Sequence, residues 1–159
     1  MNYIKIDECD LNNGEGARVT LWVSGCCHKC FGCHNKNTWS HSSGNHFSQE
    51  VEDRLIDLLR NPFIKGLTLS GGDPLSIDNR YFIFKLIHKV KEKFPEKDIW
   101  LWTGFLKEDL PNNITEKIDF LIDGKFKKSL VKNNLRYRGS ENQRIFKNGI
   151  NVTKEYGYK

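Results

Sequence analysis

Residues 18–35 read Arg18-Val19-Thr20-Leu21-Trp22-Val23-Ser24-Gly25-Cys26-Cys27-His28-Lys29-Cys30-Phe31-Gly32-Cys33-His34-Asn35. The first six are mostly β-branched or apolar and read as a strand. Ser24-Gly25 ends it, and a loop with four cysteines in eight residues follows. Cys26, Cys30 and Cys33 stand in a CxxxCxxC spacing, which lets three thiolates wrap one side of an iron–sulfur cube. A cube has four iron corners, so one iron is left open to bind something else. The competing reading is a zinc knuckle. Cys27-x-x-Cys30 and Cys30-x-x-Cys33, with His28 and His34 alongside, are spacings that zinc accepts. A structural zinc site, however, draws a second ligand pair from a loop roughly a dozen residues or more away. Beyond Asn35 the chain offers only His41, His46 and His88, and no cysteine. The cluster is therefore preferred. The x3-x2 spacing favours Cys26 as first ligand, and a shifted Cys27-Cys30-Cys33 set stays open on spacing alone.

Downstream, strands alternate with helices. Ser48 is placed to cap a helix over residues 49–59, with Val51, Leu55, Ile56, Leu58 and Leu59 as its apolar stripe and Asn61-Pro62 as its stop. Residues 66–70 read as a short buried strand running into Gly71-Gly72-Asp73-Pro74. Asp78 is placed to cap the next helix, whose apolar face includes Phe82, Leu86, Ile87, Val90 and Phe94. Residues 99–102 predict a third strand, ending in Thr103-Gly104. A short helix at 106–110 and a strand at 118–122 follow.

Strand, loop and helix, repeated about four times, predict an α/β fold with a mostly parallel sheet. The chain is too short for eight βα units, so an open partial (βα) barrel is expected. In such folds the functional groups gather beyond the carboxyl ends of the strands. Residues 26–33, 71–74, 102–104 and 123–126 each follow such an end, so four loops converge on one side. Among them, Gly71 and Gly72 let the backbone approach a ligand and present N–H and C=O groups to it. Asp73 adds a fixed acceptor suited to a ligand ammonium. Alone, Gly-Gly-Asp-Pro more commonly marks a tight turn. On the same sheet edge as three cysteines, the binding reading is preferred.

Composition narrows the classes. The 159 residues suit one domain over 1–159, and 38% hydrophobic with 12% aromatic residues is globular rather than disordered. No stretch approaches the roughly 20 apolar residues of a membrane span, and residues 1–8 carry no signal pattern. Five cysteines, four of them clustered, suit a reducing compartment and metal binding, so the cytoplasm is the expected location. The formal net charge is +5. From Leu121 onward ten Lys or Arg face three Asp or Glu, a net +7 that leaves −2 for the first 120 residues. Residues 127–159 read as a basic C-terminal extension that can face a partner. They lack a recognition helix or a row of stacking aromatics, so nucleic acid is not the expected partner. No Ser-His-Asp or paired-carboxylate constellation stands out.

Taken together, Cys26-x3-Cys30-x2-Cys33 and Gly71-Gly72-Asp73-Pro74 resemble the radical S-adenosylmethionine enzymes, where three cysteines hold a 4Fe–4S cluster. More narrowly, six segments between residues 24 and 144 are similar to the small activating proteins of anaerobic ribonucleoside-triphosphate reductase. They are Ser24-Gly25-Cys26, Cys30-x-Gly32-Cys33-x-Asn35-Lys36-x-Thr38-Trp39, Leu69-Ser70-Gly71-Gly72-Asp73-Pro74-Leu75, Lys97-Asp98-Ile99-Trp100-x-Trp102-Thr103-Gly104, Ile122-Asp123-Gly124-Lys125-Phe126 and Arg138-Gly139-Ser140-x-Asn142-Gln143-Arg144. The cysteine motif identifies only the superfamily; the last three segments point to the activases.

The resemblance implies that Cys26, Cys30 and Cys33 ligate three irons, and that the amine and carboxylate of S-adenosylmethionine chelate the fourth. It implies that Gly71, Gly72 and Asp73 hydrogen-bond the ammonium, that backbone at Gly32, Cys33 and His34 lines the adenine side, and that Thr103, Asp123 and Lys125 meet the ribose or carboxylate. The implied reaction is reductive cleavage to methionine and a 5′-deoxyadenosyl radical, which removes a Cα hydrogen from a glycine of the partner reductase. A small redox protein would supply the electron, and no catalytic side chain beyond the cluster and its cofactor is required. The chain departs from the pattern at Gly32, where many superfamily members carry an aromatic, and at His34, where the activases carry one. The alternatives are another target for the same chemistry, such as pyruvate formate-lyase or a deazapurine precursor, and a zinc-binding nucleic-acid module.

Overall fold

In the computed structural model, which describes residues 1–157, the chain runs β1 (Asn2–Asp10), β2 (Arg18–Val23), β3 (Asn45–His46), α1 (Gln49–Leu59), β4 (Gly66–Gly71), α2 (Ile77–Lys93), β5 (Asp98–Trp102), α3 (Asn112–Thr115), β6 (Phe120–Asp123), β7 (Arg144–Lys147) and β8 (Ile150–Asn151). Tyr158 and Lys159, the last of the basic residues counted above, lie outside the described residues. One sheet holds all eight strands in the order β3-β1-β2-β4-β5-β6-β7-β8. It is open, and its centre is parallel: Leu21 pairs with Leu69, Leu69 with Leu101, and Leu101 with Leu121.

The α/β class and the unclosed sheet match the sequence reading. The mostly parallel sheet does not, because four of the seven strand pairings are antiparallel. For two of these four the reason lies in the connections. Residues 11–17 between β1 and β2, and Asn148-Gly149 between β7 and β8, are too short for a crossover and return the chain antiparallel. Part of the basic segment 127–159 thus extends the sheet, as β7 and β8.

Alternation along the strands sorts the side chains into two layers. Val19, Leu21, Val23, Leu67, Leu69, Ile99, Leu101 and Leu121 face the helices, where Leu55, Ile56 and Leu59 of α1 and Ile83, Leu86, Ile87 and Val90 of α2 complete the main core. Each such buried side chain contributes roughly 1.5–3 kcal/mol. Trp100, Phe120 and Ile122 face the other way and are covered by Val152 and Tyr156. Trp100 stacks on Phe120 with centroids 4.1 Å apart. At the amino ends of the strands Arg18, fully buried, donates to Thr68 Oγ1 (2.8 Å) and Leu67 O (3.1 Å) and pairs with Asp98 (2.5 Å). That plug leaves the carboxyl ends as the open side.

The helices stand close to where the sequence puts them. Helix α1 has Ser48 at its N-cap position, as expected. Helix α2 starts earlier, with Ser76 at the N-cap and Asp78 in the first turn, where a carboxylate suits the helix dipole. The expected helix at 106–110 is a single 3₁₀ turn, Lys107–Asp109. The last parallel strand begins at Phe120 rather than residue 118. Among the described residues no helix is long and apolar enough to cross a membrane.

Candidate functional site

Because β2, β4, β5 and β6 run parallel, the loops after them emerge at one edge. They enclose a cavity of about 140 Å³. Cys26, Cys30 and Cys33 line it from the first loop; Gly71, Gly72 and Asp73 from the second; Trp102, Thr103 and Gly104 from the third; Gly124 and Phe126 from the fourth. A larger hollow of about 900 Å³ lies between β1 and α1, around Glu8, Arg54 and Phe63. It brings together none of the expected site residues.

Main-chain bonds fix the loops to one another. Gly25 N–H donates to Thr38 O (2.7 Å) and Cys26 N–H to Trp39 O (3.0 Å), tying the start of the cysteine loop to the 3₁₀ turn Lys36–Thr38. Gly72 N–H donates to Val23 O and Asp73 N–H to Gly25 O, both at 2.8 Å. This contact explains the paired glycines. A Cβ on Gly72 would lie 2.5 Å from Gly25 O, and one on Gly71, at φ +103°, would lie 2.6 Å from Val23 O.

The thiols are all unpaired. Burial pushes Cys26 up to about 11 and raises Cys30 in the same direction, so a metal must displace protons to bind. Among the described residues no three His, Cys, Asp or Glu side chains converge closely enough to hold a single metal ion. Three thiols spread around one cavity, with its imidazole already committed elsewhere, fit a multi-iron cube better than a mononuclear zinc. Cys27 is exposed and lines an adjoining groove instead. Cys9 is exposed and remote.

The carboxylate of Asp73 does not stand free to receive an ammonium. It accepts from His28 Nε2 (2.7 Å), Leu75 N–H (2.8 Å), Thr103 Oγ1 (2.9 Å) and Gly104 N–H (2.9 Å). Four donors occupy about all the lone-pair sites a carboxylate has. Thr103 lines the cavity, but its hydroxyl is spent on Asp73. Gly71 O accepts only a long bond, 3.4 Å, from Asn35 Nδ2 among the side-chain contacts, which makes the main chain the better acceptor here.

Other expected residues are not brought to the cavity. Asp123 follows Leu121 in the alternation and so points to the helix side, where it accepts from Lys107 N–H (2.8 Å) and from Arg144 Nε (3.0 Å). Lys125 is exposed on the adjoining groove. Gly32 turns at φ +75° against Lys128, and His34 is exposed with its ring 5.8 Å from Phe126. Sequence reasoning weighed His28 only as a zinc ligand, and it placed Phe126 in the fourth loop and Gln143 in a matching segment without giving either a role of its own. Gln143 accepts from Gly139 N–H (2.9 Å) and donates to Gly124 O (3.0 Å), holding the fourth loop. Phe126, an aromatic just past a strand end, gave a usable signal; the other two gave none without their partners.

Comparisons with known proteins agree on a relationship. A family model described as a 4Fe-4S single cluster domain matches residues 12–146. The chain is 47% identical over 155 residues to the anaerobic ribonucleoside-triphosphate reductase-activating protein of Enterobacteria phage T4, covering 97% of this chain and 99% of that one. It is 46% identical over 150 residues to the protein of that name from Vibrio cholerae serotype O1, covering 91% and 97%. The Escherichia coli K12 protein of that name is 44% identical over 148 residues, covering 90% and 96%.

Proposed function

Because this chain belongs to the family of anaerobic ribonucleoside-triphosphate reductase-activating proteins, we propose that it is a radical S-adenosylmethionine enzyme that sets a glycyl radical on that reductase. The observation that carries the reading is the meeting of three thiols and the Gly71-Gly72 backbone in one cavity, at the carboxyl edge of the parallel strands of an open sheet. Cys26, Cys30 and Cys33 would hold a 4Fe–4S cluster, with one iron left for the amine and carboxylate of S-adenosylmethionine. One-electron reduction of the sulfonium is the chemistry such a cluster supplies when bound, and the released 5′-deoxyadenosyl radical would take a Cα hydrogen from the partner's glycine.

The chain's own residues serve binding and enclosure. The Gly71 carbonyl meets the ammonium, because its bond to Asn35 is long enough to yield. Asp73 stiffens that loop rather than touching the ligand. Main chain at Cys33 faces the adenine side, and Gly32 and His34 stand beyond the cavity, with the exposed His34 ring open to the part of the adenine that extends past it. Trp102 and Phe126 supply apolar walls that keep a carbon radical from water. Holding sulfonium and electron source together makes the cleavage intramolecular. The electron comes from a small redox protein, and the unpaired, clustered thiols suit the cytoplasm.

The test is anaerobic reconstitution with iron and sulfide, then addition of reductant and S-adenosylmethionine. The expected outcome is a brown protein that releases 5′-deoxyadenosine and, mixed with the reductase, yields a glycine-centred signal by electron paramagnetic resonance. A colourless protein carrying zinc, or a loaded one that leaves S-adenosylmethionine intact, would sink the reading.

A further inference from the structure

We propose that His28 is a positioning residue that sets the glycine loop against the cysteine loop, and so governs how tightly S-adenosylmethionine is held; the second half of this inference rests on the function proposed above. Of the three residues between Cys26 and Cys30, Cys27 and Lys29 are exposed and only His28 turns inward. Its side chain is 6% exposed, and its Nε2 donates to Asp73 Oδ2 at 2.7 Å, on a carboxylate that is 1% exposed. The ring stands edge-on to Phe105 with centroids 4.5 Å apart. It also lies against Gly104, where a Cβ would come within 2.3 Å of its Cδ2. One atom pair therefore joins the first loop to the second, and the ring's packing joins it to the third.

The local backbone is shaped around this insertion. Lys29 takes a left-handed φ of 45°, disfavoured for a residue with a side chain, and that turn returns the chain so that Cys30 reaches the cavity. Asp73, at the other end of the bond, also receives Thr103 and Gly104, and its own N–H donates to Gly25 O beside Cys26. The carboxylate is thus the junction of all three loops, and His28 is the member that reports the position of the cysteines. A buried, hydrogen-bonded histidine is more often a packing residue. Here, however, loss of the imidazole leaves Asp73 three other donors, so the carboxylate stays satisfied and the fold has little reason to fail. What is lost is the side-chain tie between residues 27–30 and Asp73, while the Gly72 and Asp73 N–H bonds to Val23 O and Gly25 O still hold the start of the cysteine loop.

The test compares His28→Ala and His28→Gln, the glutamine amide being long enough to donate to Asp73. In the metal-free proteins, amide hydrogen exchange at Gly72, Asp73 and Gly104 is expected to rise in His28→Ala and return toward wild type in His28→Gln. After anaerobic reconstitution, iron and sulfide per chain should stay near wild type in both. S-adenosylmethionine affinity, read from its effect on the paramagnetic resonance spectrum of the reduced cluster, should fall on the order of tenfold in His28→Ala and recover in His28→Gln. Unchanged exchange in His28→Ala overturns the proposal. So does an unchanged affinity, or a joint loss of iron and thermal midpoint in both variants, which would mark a packing residue. If wild type itself takes up no cluster or ignores S-adenosylmethionine, the function proposed above fails, while the exchange measurement still decides the coupling of the loops.

Discussion

One methyl group added at Gly72 would bring a Cβ to 2.5 Å from the Gly25 carbonyl oxygen, a backbone atom that cannot swing aside. The glycine loop would have to retreat from the residue that precedes Cys26. Overpacking of this kind costs about 1–3 kcal/mol, and here the displacement falls on the cysteine loop. Gly72→Ala should therefore melt at lower urea concentration and retain less iron after desalting; a variant equal to wild type on both counts would contradict the close approach. The cysteines divide just as sharply. Cys26, Cys30 and Cys33 line the cavity, whereas Cys27 is exposed beside it. Alanine at any of the first three should abolish the cluster's absorbance, and Cys27→Ala should leave it near wild type. The reverse pattern for Cys26 and Cys27 would establish the shifted ligand set.

The fourth parallel strand, β6, owes its place to an antiparallel neighbour that the sequence barely announces. Arg144 at the start of β7 donates to both oxygens of Asp123 at the end of β6 and to both oxygens of Glu108 in the turn between β5 and α3. Asp123 is fully buried, so Arg144→Ala would leave it the Lys107 N–H bond but take away the guanidinium that balances its charge. Loss of one partner of a buried pair costs about 3 kcal/mol or more. Arg144→Lys should recover only part of it, because an ammonium cannot match the forked guanidinium geometry. Urea melts of the two variants check this; an Arg144→Ala protein as stable as wild type would make the pair ornamental. This network also shows where reading elements from sequence stops. Helix α1 was legible because Leu55, Ile56 and Leu59 recur at helical spacing, and β2, β4 and β5 because their apolar runs end in glycine or serine. Strand β7 is four residues, Arg-Ile-Phe-Lys, within a basic segment that read as surface. The resemblance implied a ligand role for Asp123; strand alternation, once its register is fixed, sends it to the helix side.

Across the whole molecule, the site was legible to the extent that chain direction dictates it. Parallel strands put every following loop on one edge, so the approach of residues 26–33 to 71–74 needed no knowledge of side chains. The saturation of Asp73 by His28, Thr103 and Gly104 was not legible, because those partners lie 30 or more residues away and nothing local pairs them. The same holds for the way the chain closes. Tyr156 donates its hydroxyl to Glu15 at 2.9 Å, 141 residues earlier, and its ring packs with Trp100, Phe120 and Tyr137 over the inner face of the sheet. The turn at residues 153–156 is therefore a lid on the inner core, and loss of its aromatic ring should be felt globally. Tyr156→Ala should cost about 3 kcal/mol by opening that core, and Tyr156→Phe about 1 kcal/mol by loss of one hydrogen bond. Burial, and then the hydrogen bond and charge of Glu15, raise the phenol above its ordinary value. An acid whose folded-state pKa is raised favours the fold in its neutral form. Its contribution is whole below about pH 10, where the free phenol begins to ionise, and is lost as pH climbs further. The stability gap between wild type and Tyr156→Phe should accordingly narrow from pH 8 to pH values above about 10. Paired urea melts would read that narrowing, and a gap that held constant or widened would show that the phenol is not held neutral against Glu15.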